Sequence, residues 1–183
     1  MMLEAKKLRE NTWLIKIDAV PGYYKWWAHK AELDTILSAL NVNFADICDA
    51  LETKDDMFCI YVGIAVKESV RERLNWHVND KHTESQVRNG TLSTLRQSIA
   101  SIVAQNQRDK TATNAFIDKL SVEWFYSVHP IKSLQASDEL HKIERTLLAE
   151  HLYVLKIQEK AQPLAAPVKR KLKRLRKASK PQA

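Results

Sequence analysis

Residues 57–65, MFCIYVGIA, are apolar almost without interruption. A strand with this pattern is covered on both faces, so it reads as the centre of a small buried sheet. Two other segments supply neighbours for it. Tyr23 to Ala28 (YYKWWA) is rich in aromatics and follows the turn signal Pro21-Gly22. Leu120 to Ser127 (LSVEWFYS) alternates and carries β-branched and aromatic residues. Residues 12–19 (TWLIKIDA) also alternate and read as a strand or strand entry, while Thr53 to Asp56 reads as a loop.

The intervening segments carry helical spacing. Residues 29–51 place Leu33, Ile36, Leu37 and Leu40, then Phe44, Ile47 and Leu51, on helical faces. Helices are expected over about 68–79, 93–105 and 112–119, and over 137–150 with Ser137 as its cap. A basic helix candidate follows Pro163 and Pro167, over 168–178. The fold class is α/β (α+β): a central sheet of about three strands flanked by helices. No GxGxxG follows a strand and no Walker A loop is present.

Charge is unevenly placed. Lys160 to Ala183 holds 9 of the 29 Lys/Arg and none of the 22 Asp/Glu, so the +7 net charge belongs to this stretch. Such a segment attracts a polyanion: nucleic acid first, an anionic membrane surface second. No apolar stretch is long enough to span a bilayer. The charged residues 1–11 do not read as a secretory signal. Cys48 and Cys59 are isolated, which gives no zinc or thioredoxin-like pattern. Both read as reduced thiols of a cytoplasmic protein.

Gly22-Tyr23-Tyr24 lies on one strand, Tyr61-Val62-Gly63 on the next, and VRERLNWH (70–77) on the helix after it. This order resembles the GIY-YIG nuclease family, which has a Gly-Ile-Tyr strand, a Tyr-Ile-Gly strand and a helix bearing an arginine. Tyr24, Tyr61 and Arg73 match that pattern, with Arg73 preferred over Arg71. His77, four residues after Arg73, shares its helix face; an Arg-x-x-x-His helix is similar to that of some restriction enzymes of this fold. The segment IERTLLAEHLYVLK places Glu144 in the family's glutamate position, with Glu139 and Glu150 as rivals. GTLSTLR (90–96) also looks like a segment of some members. The resemblance covers roughly Trp13 to Lys160.

The resemblance implies an endonuclease that hydrolyses DNA phosphodiesters. It implies that Glu144 holds one divalent metal, Mg²⁺ or alternatively Mn²⁺. Tyr24 would deprotonate or orient the attacking water, for which a phenol needs nearby positive charge. Arg73 would supply that charge and bind phosphate oxygens. Tyr61 would position the phosphate, and His77 would assist proton transfer. One departure stands out: Lys156 occupies the place where the family keeps Asn, and Lys160 stands where a second Asn often follows. A lysine only donates, so Lys156 would pair with Glu144, contact DNA, or displace the metal. The alternative reading is therefore a catalytically impaired DNA-binding protein of the same fold. A scaffold whose aromatic strands are merely core ranks third.

The expected organisation is a nuclease-like domain over 1–160, with an insertion at about 29–56, and a basic tail over 161–183. The tail reads as a flexible polyanion-binding arm. Candidate nucleic-acid contacts are Lys156, Lys169, Arg170, Lys171, Lys173, Arg174, Arg176 and Lys177. His82, Arg88 and Arg96 read as either a phosphate groove or exposed polar surface. Trp26, Trp27, Trp76 and Trp124 read as packing residues.

Overall fold

The computed structural model describes residues 2–10, 13–156 and 164–181. Met57–Ala65 (here β4) is a strand of the central sheet, buried along most of its length. It pairs antiparallel with β2 (Gly22–Ala28), and β2 pairs antiparallel with β5 (Ser121–Tyr126). Two short edge strands complete a five-stranded sheet in the order β1-β5-β2-β4-β3: β1 (Met2–Glu4) beside β5, and β3 (Thr53–Lys54) beside β4. The expectation of about three strands is corrected to five.

Both added strands are too short for a period of two to register. β3 turns into β4 through Asp55 and Asp56, with φ of 48° and 60°. Two consecutive left-handed residues are what a two-residue hairpin demands, and Asp tolerates them better than most. Residues 14–16 correct a second expectation. The alternation over 12–19 belongs to a 3₁₀ turn, Leu14–Lys16, where Leu14 and Ile17 are buried and Ile15 is exposed.

Helices cover the sheet. Between β2 and β4 the chain makes α2 (Lys30–Leu40) and two 3₁₀ turns, Phe44–Asp46 and Cys48–Ala50. A second long helix over 41–51 is absent; Asn41 ends α2 in the left-handed conformation, φ 48°. After β4, Ser69 and Glu72 form a capping box that starts α3 (Val70–Asn79). Thr83 and Gln86 form another at α4 (Glu84–Asn89). Ser93 caps α5 (Thr94–Val103), and Asp109 caps α6 (Lys110–Ile117). The cap of α7 (Leu134–Glu150) is Ser133, whose side chain accepts the Ala136 N–H. Ser137 already lies inside the helix. The N-terminal Ala5–Arg9 is a short helix, α1.

The last helix, α8 (Ala165–Ala178), is docked on the body, which corrects the flexible-arm expectation for these residues. Val168 and Leu172 are buried in the main core. Ser179 Oγ lies 2.7 Å from Ser101 Oγ, and Gln107 Nε2 donates to the Arg176 carbonyl at 2.7 Å. These bonds bolt the end of α8 to α5 and to the loop that follows it. Lys160 and the rest of 157–163 lie outside the described residues. Among the described residues, no helix is long and apolar enough to cross a membrane.

The sheet has one irregularity. The β2–β4 register shifts between Trp26 and Trp27, which pair with Tyr61 and Cys59 and leave Ile60 as the extra residue. The Ile60 carbonyl accepts the Leu155 N–H at 3.0 Å. A bulge frees backbone groups from the ladder. Here one of them anchors the segment that carries Lys156.

Candidate active site

Successive strand residues face opposite ways, so Tyr24 and Trp26 share a face of β2 with Tyr61 and Gly63 of β4. Tyr24 lies directly opposite Gly63 and diagonal to Tyr61. The two tyrosine rings stack with centroids 6.4 Å apart. Gly63 is glycine for a reason of space: a Cβ there would lie 2.3 Å from the Tyr24 hydroxyl oxygen. Gly22 has a backbone reason, since its Cβ would meet the Phe125 carbonyl oxygen at 2.0 Å.

Helix α3 crosses this face. Its residues 73 and 77, one turn apart, bring Arg73 and His77 to the same side as Tyr24. Helix α7 brings Glu144, and the segment anchored at the bulge brings Lys156. Tyr24, Tyr61, Arg73, His77, Glu144 and Lys156 all line one cleft of about 300 Å³. Arg71 is turned away, donating to the carbonyls of Ile17 and Ile15. Of the rival carboxylates, Glu139 accepts the Ser127 hydroxyl, and Glu150 is exposed at the end of α7.

Hydrogen bonds decide the tautomer of His77. Ser93 is fully buried, and its Oγ accepts the Arg96 N–H as the cap of α5. Its hydroxyl proton then has one acceptor in reach among the described residues, His77 Nδ1 at 2.9 Å. The imidazole proton is therefore on Nε2, which donates to the Tyr24 hydroxyl at 2.8 Å. The tyrosine's own proton meets no acceptor among the described residues and is free for the cleft.

Burial governs the protonation of both rings. It holds His77 well below its usual range, helped by the positive charges of Arg73, Arg96 and Lys156. It pushes Tyr24 well above the ordinary phenol value, with Tyr61, Glu144 and Glu68 adding to the rise. Arg73 acts in the opposite, expected direction on Tyr24, but desolvation outweighs it. Resting Tyr24 is thus a neutral phenol beside a neutral imidazole.

Arg73 pairs with Glu68, and its guanidinium sits over the Trp76 ring, 4.8 Å from the centroid. Its Nε is buried without a hydrogen-bond partner among the described residues. Arg73 lines the cleft, and an unfilled guanidinium donor suits an anionic oxygen. Lys156 Nζ donates to Glu144 Oε1 at 2.6 Å and lies 5.3 Å from the Tyr61 ring centroid. No hydrogen bond holds the other Glu144 oxygen among the described residues.

A family model, the GIY-YIG catalytic domain, matches residues 22–178. The chain belongs to the GIY-YIG family. Its α/β fold and sheet are those of a GIY-YIG domain, and the domain is nuclease-type. Comparison with curated proteins and with solved structures found no match. GIY-YIG nucleases are generally dependent on a divalent metal. The donor set here fits such an ion: one carboxylate with an open oxygen suits a hard cation that keeps most of its water and takes phosphate oxygens. Among the described residues no group of three or more His, Cys, Asp or Glu could hold a metal.

Sequence reasoning missed several parts of this GIY-YIG site and misread others. Ser93, through its bond to His77, and His141, as another residue lining the cleft, were not singled out. Arg96 and His82 do not form a phosphate groove. Arg96 is fully buried, and its Nε donates to His82 Nε2 at 2.7 Å. Arg88 is exposed and paired with Glu84 at 2.9 Å.

Proposed function

We propose that this GIY-YIG chain is a metal-dependent endonuclease that cuts DNA in the cleft between β2, β4, α3 and α7. One observation carries the reading. Tyr24, Tyr61, Arg73, His77 and Glu144 are far apart in sequence yet line a single cleft.

Each residue has a task there. Arg73, through its unfilled Nε, binds a non-bridging phosphate oxygen. Tyr61 holds the phosphate against the sheet. Tyr24 loses its own proton to solvent in the cleft and then takes that of the attacking water, and the Nε2–H of His77 stabilises the phenolate between the two transfers. Glu144 holds the divalent cation, Mg²⁺ or Mn²⁺. When bound, that ion neutralises charge on the phosphoryl group and the leaving oxygen. Lys156 leaves Glu144 and turns to a DNA phosphate as substrate enters.

The test is cleavage of supercoiled plasmid with Mg²⁺ or Mn²⁺. Arg73→Ala and Glu144→Ala are each expected to lower the rate by about 10²-fold or more. Wild-type activity in both variants would reject the site. A second reading has the Lys156–Glu144 pair behind it: a domain that binds DNA without cutting it. Binding with no metal-dependent nicking under any condition would favour that reading.

Helix α8 is the second DNA contact. Arg170, Lys173, Arg174 and Lys177 are exposed and fall at i, i+3, i+4 and i+7, opposite the buried Val168 and Leu172. No salt bridge engages any of the four among the described residues. Lys171 and Arg176 differ, for they donate to the Asn41 carbonyl and to Gln97 Oε1. Changing the four exposed cations to Gln is expected to flatten the log–log salt dependence of DNA binding by up to about 0.9 per lost contact, with Tm unchanged. An unaltered slope would remove α8 from the interface.

A further inference from the structure

His141 stands in the cleft with no task in the proposed cleavage reaction. It lies on α7, three residues before Glu144, so the two side chains project from one helix face. Its Nδ1 is 2.7 Å from the Ser137 carbonyl oxygen, with Ser137 Oγ a weaker contact at 3.4 Å. A carbonyl only accepts, so Nδ1 carries the proton. Nε2 then keeps its lone pair, and no protein donor claims it among the described residues. A metal-binding histidine typically has this arrangement: one nitrogen donates to a backbone carbonyl, which fixes the ring and leaves the other nitrogen for the ion.

We infer that His141 Nε2 is a second protein ligand for the divalent cation held by Glu144. The inference rests on the proposal that Glu144 binds that cation. One oxygen of Glu144 is engaged by Lys156, so a carboxylate alone gives a weak hold. An imidazole adds a neutral nitrogen ligand that Lys156 does not contest. It also changes selectivity. Carboxylate and water suit Mg²⁺, whereas imidazole favours transition ions, so the pair prefers Mn²⁺ over Mg²⁺. With two protein ligands, the other coordination positions go to water and phosphate oxygens.

The experiment titrates the full metal-free chain with Mn²⁺, without DNA, and follows binding by electron paramagnetic resonance and calorimetry. Bound Mn²⁺ is expected to show nitrogen modulation in its spin echo. His141→Ala should remove that modulation and weaken Mn²⁺ binding on the order of tenfold or more, with a smaller effect on Mg²⁺. His141 is exposed, so the variant is expected to fold, and its Tm checks this. Unchanged Mn²⁺ affinity in His141→Ala, persistent nitrogen modulation, or no binding by wild type at millimolar Mn²⁺ would overturn the inference. A parallel Glu144→Ala titration separates the two claims. If Glu144→Ala abolishes binding and His141→Ala does not, the histidine is not a ligand and the carboxylate site stands. If Glu144→Ala changes nothing, the metal reading of the cleft fails as a whole.

Discussion

Replacing Tyr24 with Phe is expected to lower the single-turnover rate of DNA cleavage by about 10²- to 10⁴-fold, the range of a lost proton acceptor. The ring keeps its place against Tyr61, because only one oxygen is removed. The buried His77 Nε2–H loses its acceptor, which costs about 1–3 kcal/mol of stability. The pH profile is the sharper readout. Tyr24 has its folded pKa raised well above the ordinary phenol value. Its phenolate fraction therefore climbs tenfold per pH unit throughout the neutral and mildly alkaline range. The wild-type rate should do the same, with a log–log slope of about 1 from pH 7 to beyond pH 9. His77 is already neutral there, since its pKa lies well below the usual 6.5, and adds no inflection. A plateau near pH 7 would mean that Tyr24 does not act as a phenolate. A Tyr24→Phe variant with unaltered rate would remove it from the chemistry altogether.

The largest effect on stability is expected from Arg96→Leu. Arg96 is fully buried, with no carboxylate in ion-pairing reach among the described residues. Its Nη1 donates to the carbonyls of His77 and Val78 at 2.8 and 3.1 Å, and its Nη2 donates to Asn114 Oδ1 at 2.6 Å. Those two carbonyls are in the last turn of α3, where helical partners run out and the helix end is partially negative. The cation answers that negative end, though burial still lowers its pKa to about 10. Leucine leaves the His77 carbonyl and His82 Nε2 buried with their bonds unmade, and takes one bond each from half-buried Asn114 and from the Val78 carbonyl, which keeps its bond from Arg9. At about 1–3 kcal/mol for each unsatisfied group, the loss is at least about 3 kcal/mol. For a domain of this size that lowers Tm by roughly 10 °C. Arg88→Ala, at an exposed arginine, is the control and should shift Tm by less than about 2 °C. Equal melting of the two variants would show that the buried guanidinium stabilises nothing.

The contrast between Arg88 and Arg96 shows what the sequence could and could not reveal. Both lie in helix-forming stretches, and both read alike, as phosphate groove or as exposed polar surface. What separates them is the C-terminal end of α3, some 18 residues earlier in the chain, and no local pattern marks that contact. Ser93 is similar. Its cap role is legible from position, but its bond to His77 exists only because α3 and α5 pack together. The tyrosine strands, the Arg73/His77 helix and the helix bearing Glu144 were legible because strand and helix periods project residues at fixed intervals. The edge strands, at two and three residues, fall below any period. The stretch 12–19 failed for the opposite reason: alternation was present, but a 3₁₀ turn used it.

The Ile60 carbonyl, which the bulge turns from the β2 ladder to the Leu155 N–H, gives the fold a built-in ruler. It fixes, to one residue, how far along β4 the returning chain may dock. Tyr61 follows the bulge directly, and Lys156 follows the residue bonded to it, so the phenol and the ammonium are indexed to the same notch. A strand slipping by one position would turn Tyr61 to the opposite face and carry the anchor of Lys156 with it. The backbone of Lys156 is therefore held in place as firmly as that of Tyr61, whichever partner its ammonium takes.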